Sequence, residues 1–193
     1  MRRVVALSLA GALLALAVGC GAPTDDQPRA LSAVPADLLA ANPVTTTVTS
    51  PPGSTSQVAV YFFGAERLVQ VQRLVEYPAT VEKLVRQLFS GPREDEIRRG
   101  LRSLVNHGTT VLSASTDAGI ATIDLNGAPA EGDGIEEVTM ALAQIVYTAT
   151  SLAGVIGVQF TRNGQKLSVP TSDGSKTFTP VGKASYAPRY APL

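Results

Sequence analysis

The sequence predicts one small α+β domain, with an antiparallel or mixed sheet and two main helices on one face. Strand-like segments occur in pairs joined by short turns, which is typical of hairpins. Two segments with helical apolar spacing separate these pairs, and a short charged segment follows the first of them. The expected element order is therefore ββα(α)ββαββ, which favours the α+β class. Residues 58–180 are enough for one ordinary core.

The first half of this domain begins with a predicted hairpin and continues into helices. Gly64 opens the turn between an apolar run and a segment with alternating apolar residues. The helical stripe that follows stops at Gly91-Pro92, since neither residue continues a helix well. Gly100 ends the short charged helix. The predicted elements are strands at 58–63 and 68–75, a helix at 81–89 and a short helix at 94–99.

The second half repeats this order and ends in another hairpin. Asp117-Ala118-Gly119 predicts a turn between two strands, and Gly154 ends the longest apolar helix. Asn163-Gly164 is the strongest hairpin signal in the chain, because both residues tolerate the positive φ of a type I′ turn. The predicted elements are strands at 110–115 and 120–125, a helix at 135–153, and strands at 155–162 and 165–169.

The N-terminal segment has the layout of a secretory signal that ends in a lipid attachment point. Arg2 and Arg3 precede an apolar run over residues 4–18, which is too short as a helix to cross a bilayer. The small residues before Cys20 resemble the bacterial lipobox, with cleavage between Gly19 and Cys20. We expect residues 1–19 to be a lipoprotein signal peptide and Cys20 to carry thioether-linked lipid. An ordinary signal peptide with an incidental cysteine, or a retained membrane anchor, are the alternatives.

Two further segments are predicted to be poorly structured. Residues 20–57 contain six prolines and few large apolar groups, so they bury too little surface to offset their ordering entropy. We expect a flexible tether whose ends lie about 30 Å apart. Residues 181–193 carry two Tyr-Ala-Pro repeats and are expected to form a loose C-terminal tail.

Composition excludes several classes of function. The chain has 16 basic and 16 acidic residues, and loss of residues 1–19 removes two arginines, which leaves 14 − 16 = −2. A near-neutral chain lacks the basic footprint of a nucleic-acid binder. With one histidine and one cysteine, no zinc or iron–sulfur site is expected, and no cofactor or metal is assigned.

Several short segments in a fixed order carry a family resemblance. Together they are similar to the GerMN domain, the sporulation and spore-germination module also found in many actinobacterial lipoproteins, over residues 58–169. Asn106-His107 stand where the family usually has a proline. The matching segments are Leu88-Phe-Ser-Gly-Pro92, Gly100-Leu101, Thr110-Val-Leu112, Gly119-Ile-Ala-Thr-Ile-Asp-Leu125, Ala143-Gln-Ile-Val-Tyr-Thr148, Gly154-Val155 and Val158.

The resemblance implies a non-catalytic module of the cell envelope, with no catalytic, cofactor or metal residues to assign. We therefore expect a protein-interaction or scaffold domain, held on the extracytoplasmic face by covalent lipid. Its partner would be an envelope protein or a second copy, and not nucleic acid. A small-ligand or glycan-binding lipoprotein is the alternative. An envelope hydrolase is a further one, with His107 paired to Ser103 or Ser113 and a distant aspartate, although no Gly-x-Ser-x-Gly elbow supports it.

Three polar residues have a structural interpretation beside a functional one. Gln144 and Thr148 lie four apart and so share a face of the longest helix. They are placed to bind a partner or to satisfy local backbone groups, and we favour the second role. Asp124 is interpreted in the same way, as a residue that holds a neighbouring turn.

Overall fold

The computed structural model describes residues 53–192. The predicted signal peptide, Cys20 and residues 20–52 of the tether lie outside these residues. The described elements, in chain order, are β1 Thr55–Gly64, β2 Arg67–Glu76, α1 Val81–Phe89, α2 Glu94–Arg98, β3 Leu101–Arg102, β4 Val111–Asp117, β5 Ile120–Leu125, α3 Ile135–Ala149, β6 Gly157–Arg162, β7 Gln165–Lys166, β8 Val169–Pro170, β9 Lys176–Thr177 and a 3₁₀ turn Lys183–Ser185.

The strands form a mixed α+β arrangement, as predicted, but they divide over separate sheets. The order β2-β1-β3 makes an antiparallel sheet, and β4-β5-β6-β7 makes a mixed one. Within the second sheet β5 and β6 run parallel, because α3 connects them as a crossover. The strands β8 and β9 pair separately. Residues 55–57, expected in the tether, belong to β1 and pair with residues 74–76 of β2.

Three tight turns confirm the predicted hairpins. Ala65, Ala118 and Asn163 all have positive φ, at 51°, 46° and 50°. Gly119 and Gly164 follow two of them with φ near 80°, as a type I′ turn requires. The last hairpin is shorter than predicted, because the chain leaves β7 after Lys166 and pairs with β9 from Val169.

Helix α3 is largely buried and contacts elements of both halves of the domain. Every residue from Ala141 to Ala149 is buried. The helix contacts β1 and α1 from the first half, and β6 and β8 from the second. It ends at Ala149 and not at 153, and the Thr150 hydroxyl bonds back to the Val146 carbonyl at 2.6 Å. The helix therefore occupies the centre of the fold.

A buried ion pair holds α2 against the first sheet. Arg73 of β2 is 2 % exposed and donates two hydrogen bonds to Glu96 of α2, one of them 2.6 Å from Nη2 to Oε2. The Arg73 guanidinium also lies 5.6 Å from the centre of the Phe62 ring. The hydrogen bond from Arg73 holds the pKa of Glu96 below its ordinary value. The adjacent Glu94 and Asp95, by contrast, pair with arginines at the surface.

The prediction of a loose C-terminal tail is wrong for residues 181–192. Val181 pairs with Val158 of β6. Tyr186 is fully buried and its hydroxyl donates to the Pro170 carbonyl at 3.2 Å. The Tyr190 ring meets Phe63 edge-on, with the centroids 6.5 Å apart. These apolar side chains offset the ordering entropy of the segment, and the segment is part of the core.

Replacing Tyr186 by alanine should destabilise the domain by about 3–5 kcal/mol, because it empties a site enclosed by the core. Urea unfolding followed by circular dichroism measures this change. The matched control is Phe178→Ala, since Phe178 lies in the same part of the chain but is 58 % exposed, and it should cost less than about 1 kcal/mol. Equal losses for the two variants would contradict the packing of Tyr186.

Replacing Glu96 by glutamine should cost about 3–5 kcal/mol at pH 7, because Arg73 remains buried without its counter-charge. The lowered pKa of Glu96 means that its stabilising effect is present above the ordinary carboxyl pKa and is lost as the pH falls through the lowered value. The difference between wild type and Glu96→Gln should therefore shrink below about pH 4. Urea unfolding at several pH values tests this, with the exposed Asp95→Asn as control. A stability difference that does not depend on pH would contradict a stabilising ion pair between Glu96 and Arg73.

Candidate interaction surface

The structure places two residues of the hydrolase alternative at one hollow but does not join them by a hydrogen bond. Ser103 and His107 line one hollow of about 350 Å³, together with Glu131 and Glu137. The Ser103 hydroxyl oxygen, however, accepts hydrogen bonds from the Val105 amide at 3.3 Å and the Gln144 side chain at 3.5 Å. In the part of the chain that the structure describes, His107 forms no hydrogen bond. A nucleophile bonded to its base is the arrangement that such chemistry needs.

The two glutamates of this hollow carried no signal in the sequence, because a loop and a helix start bring them beside His107 only in the fold. Within residues 53–192, no three histidine, cysteine, aspartate or glutamate side chains lie close enough together to hold a metal ion. Ser113 lies on β4 and does not line this hollow.

Gln144 and Thr148 satisfy backbone groups, which confirms the interpretation favoured from the sequence. The Gln144 side-chain oxygen accepts from the Leu104 amide at 3.0 Å, and the Thr148 hydroxyl accepts from the Tyr61 amide at 3.1 Å. Both side chains are fully buried. Asp124 is also structural, because its carboxylate accepts from the Thr161 hydroxyl at 2.8 Å and the Gly164 amide at 3.0 Å.

Among the described residues, the outer edges of the long strands differ in how far they are closed. The outer edge of β1 is largely closed. The C-terminal end of β1 pairs with β3 at Phe63 and Gly64. Further along, the Tyr61 amide bonds to Thr148, and the Ala59 carbonyl accepts from the Ser151 hydroxyl at 2.8 Å. Side chains of α3 and the residues after it therefore take the place of a neighbouring strand.

The outer edge of β2 is guarded by cations. The Lys83 ammonium donates to the Glu76 carbonyl at 3.0 Å, and the Arg73 guanidinium approaches the Gln72 carbonyl at 3.4 Å. At the hairpin end of the strand Leu68 is fully buried. Positive side chains at a sheet edge are a common device against unwanted strand pairing.

The edge of β4 has no such guard among the described residues. From Leu112 to Thr116 the strand has no charged residue and no proline, and all but the half-buried Ala114 are exposed. An open cleft of about 450 Å³ lies beside it, between β4, the start of α1 and the residues after α3. Open edges of this kind are templates for an added strand. We call this combination the β4 edge and its cleft.

Comparisons with known proteins identify the family. The family model described as Germane, sporulation and spore germination, matches residues 59–168. This covers more than half of the chain, which therefore belongs to that family, and the resemblance noted in the sequence is confirmed. No curated protein matches significantly.

Three solved structures are similar to the chain. The tandem GerMN domains of the sporulation protein GerM from Bacillus subtilis share 20 % identity at a TM-score of 0.54 and cover 74 % of this chain. The chain spans 50 % of that structure. A candidate lipoprotein from Clostridium perfringens has a TM-score of 0.47 at 18 % identity, over 72 % of this chain and 94 % of its own. The first GerMN domain of GerM alone has a TM-score of 0.45 at 18 % identity, over 65 % of this chain and 100 % of its own.

The family model and the likeness to the tandem GerMN domains show the fold, which is that of a GerMN domain. Among the helices of residues 53–192, none combines the length and the hydrophobicity that crossing a bilayer requires.

Replacing Thr148 by valine should cost about 1–3 kcal/mol, because the nearly isosteric side chain leaves the buried Tyr61 amide without an acceptor. The matched control is Thr122→Val on β5, where the hydroxyl forms no hydrogen bond within the described residues. That control should change stability by less than about 0.5 kcal/mol. Chemical unfolding of both variants compares them, and an equally harmless Thr148→Val would show that the β1 edge does not need this side chain.

Proposed function

We propose that this chain is a lipid-anchored lipoprotein on the extracytoplasmic face of the membrane, and that its GerMN domain is a non-catalytic protein-interaction or scaffold module of the cell envelope. Membership of the Germane family supports an envelope role. The observation that carries the interaction role is the unguarded β4 edge with its cleft. The one histidine, by contrast, lacks a hydrogen-bonded nucleophile in the described region.

The proposed anchor is Cys20, with residues 1–19 removed as a signal peptide. Two or more acyl chains on this residue give stable attachment, whereas a single chain binds a membrane only marginally. The residues between Cys20 and β1 form the proposed tether, which holds the domain away from the lipid surface. A partner in the envelope then meets the domain without competition from the membrane.

Replacing Cys20 by serine should abolish the incorporation of radiolabelled fatty acid and release the protein from the membrane fraction. The reason is that serine lacks the sulfur that forms the thioether. Ser32→Cys combined with Cys20→Ser is the matched control, because it restores a thiol outside the lipobox-like segment, and it should not restore labelling. Label that persists in Cys20→Ser would contradict the anchor.

The interaction role is tested by a photo-crosslinking amino acid placed in the full chain in intact cells. Two positions lie at sheet edges, Gln72 on β2 and Ser115 on β4, and Asp173 in an exposed loop is the control. We expect a discrete protein product from at least one edge position and none from the control. No product from either edge would count against an interaction module, and ester or peptidoglycan hydrolysis lost in His107→Ala would favour the hydrolase.

A further inference from the structure

The backbone of β4 presents unpaired hydrogen-bonding groups on its outer side. Asp117 of β4 and Ile120 of β5 flank the two-residue turn and lie opposite each other. In a hairpin of this kind the flanking residues form a hydrogen-bonded pair. Pairing alternates along an antiparallel ladder, so the amides and carbonyls of Ala114 and Thr116 point away from β5. Within residues 53–192 these outward groups have no hydrogen-bond partner.

The cleft beside this edge is suited to apolar side chains. Its walls include Val81 at the start of α1, and Leu152 and Val155 after α3. Its volume of about 450 Å³ holds more than one large side chain. In a strand added to a sheet, alternate side chains point to the same face, so those of a strand paired with β4 would enter the cleft while its backbone completes the ladder.

The charge left unpaired at the β4 edge is negative. Glu82 lines the cleft, where no lysine or arginine does, but its carboxylate accepts hydrogen bonds from the Arg86 guanidinium at 2.8 and 2.9 Å. Asp117, at the end of β4, is exposed and has no ion pair in the described part of the chain. A strand that approaches this edge is therefore favoured when it is neutral or basic and disfavoured when it is acidic.

We infer that the β4 edge and its cleft bind an extended segment of a protein partner by strand addition. The segment carries large apolar side chains at alternate positions and a basic residue that lies near Asp117. Outward backbone groups of Ala114 and Thr116 supply the affinity, and the cleft supplies the selectivity. This inference rests on the proposed interaction role and names the surface and the chemistry of the partner.

A second copy of this chain fits the same edge less well. Two β4 strands paired with each other would bring together mainly serine, alanine and threonine side chains, which leave the cleft empty. Such small side chains bury little apolar surface against each other, so this pairing gains little hydrophobic stabilisation. A partner with larger side chains fills the cleft as well as pairing with the strand.

The test uses the full chain with Cys20→Ser and a phage-displayed library of random linear dodecapeptides. We expect enrichment of peptides with alternating large apolar residues and a lysine or arginine at one end. When a synthetic copy of the most enriched peptide is bound, hydrogen exchange should slow at Ala114 and Thr116. Enrichment of acidic peptides, failure to enrich any peptide, or protection confined to β2 would each overturn the inference.

Two variants test the recognised groups. Ala114→Pro removes the outward amide without removing a hydrogen bond to β5, and it should weaken binding of the enriched peptide about tenfold or more. Gln72→Pro on the β2 edge is the matched control and should leave the affinity unchanged.

Because proline can also perturb folding, Asp117→Lys is the second variant. It should weaken binding of the basic peptide about fivefold, and equal affinity for the wild type and Asp117→Lys would overturn the basic preference.

Other occupants give distinct results. Protection of Ala114 and Thr116 that appears without peptide and grows with protein concentration would identify a second copy and overturn the inference. A crosslinked envelope protein captured from Gln72 but not from Ser115, and unaffected by Ala114→Pro, would leave the proposed interaction role in place and reject the β4 edge. Loss of both crosslinks would reject the interaction role itself.

Discussion

The hydrogen bonds from helix α3 to the rest of the chain are the interactions on which the fold depends. The backbone amides of Tyr61 in β1 and of Leu104, just after β3, each donate a hydrogen bond to a fully buried side chain of this helix. A buried backbone group without a partner costs as much as a lost hydrogen bond, so Thr148 and Gln144 define where α3 lies. Because Thr148 occupies the edge of β1, the first sheet does not extend there, and β4 to β7 pair as a separate sheet.

Charge and apolar packing then secure the periphery. The pair Arg73–Glu96 attaches α2 to the first sheet in an environment that excludes water. The C-terminal segment adds Tyr186 and Tyr190 to the core. Lys83 and Arg73 at the β2 edge hydrogen-bond carbonyls that a foreign strand would use. Two of the long strand edges are thus closed or guarded, and the edge of β4 is left open.

The open β4 edge supports the proposed interaction role, which needs no catalytic group. The geometry around His107 lacks the bonded nucleophile that hydrolysis requires, whereas β4 presents outward backbone groups next to an apolar cleft. The proposed recognition by backbone pairing needs no particular side-chain chemistry on β4, so the serine, alanine and threonine residues of this strand are compatible with it.

The sequence by itself determined the features that depend on neighbouring residues. These include the turn at Asn163-Gly164, the helix Val81–Phe89, the order of the long strands and helices, and the family resemblance, because turn conformation and helical periodicity are local. Only the tertiary structure decided the burial of Arg73 with Glu96, the docking of Tyr186, the division of the strands over three sheets and the cleft beside β4. Each of these joins residues far apart in the chain. Their free energies come from contacts and excluded water that no local pattern encodes.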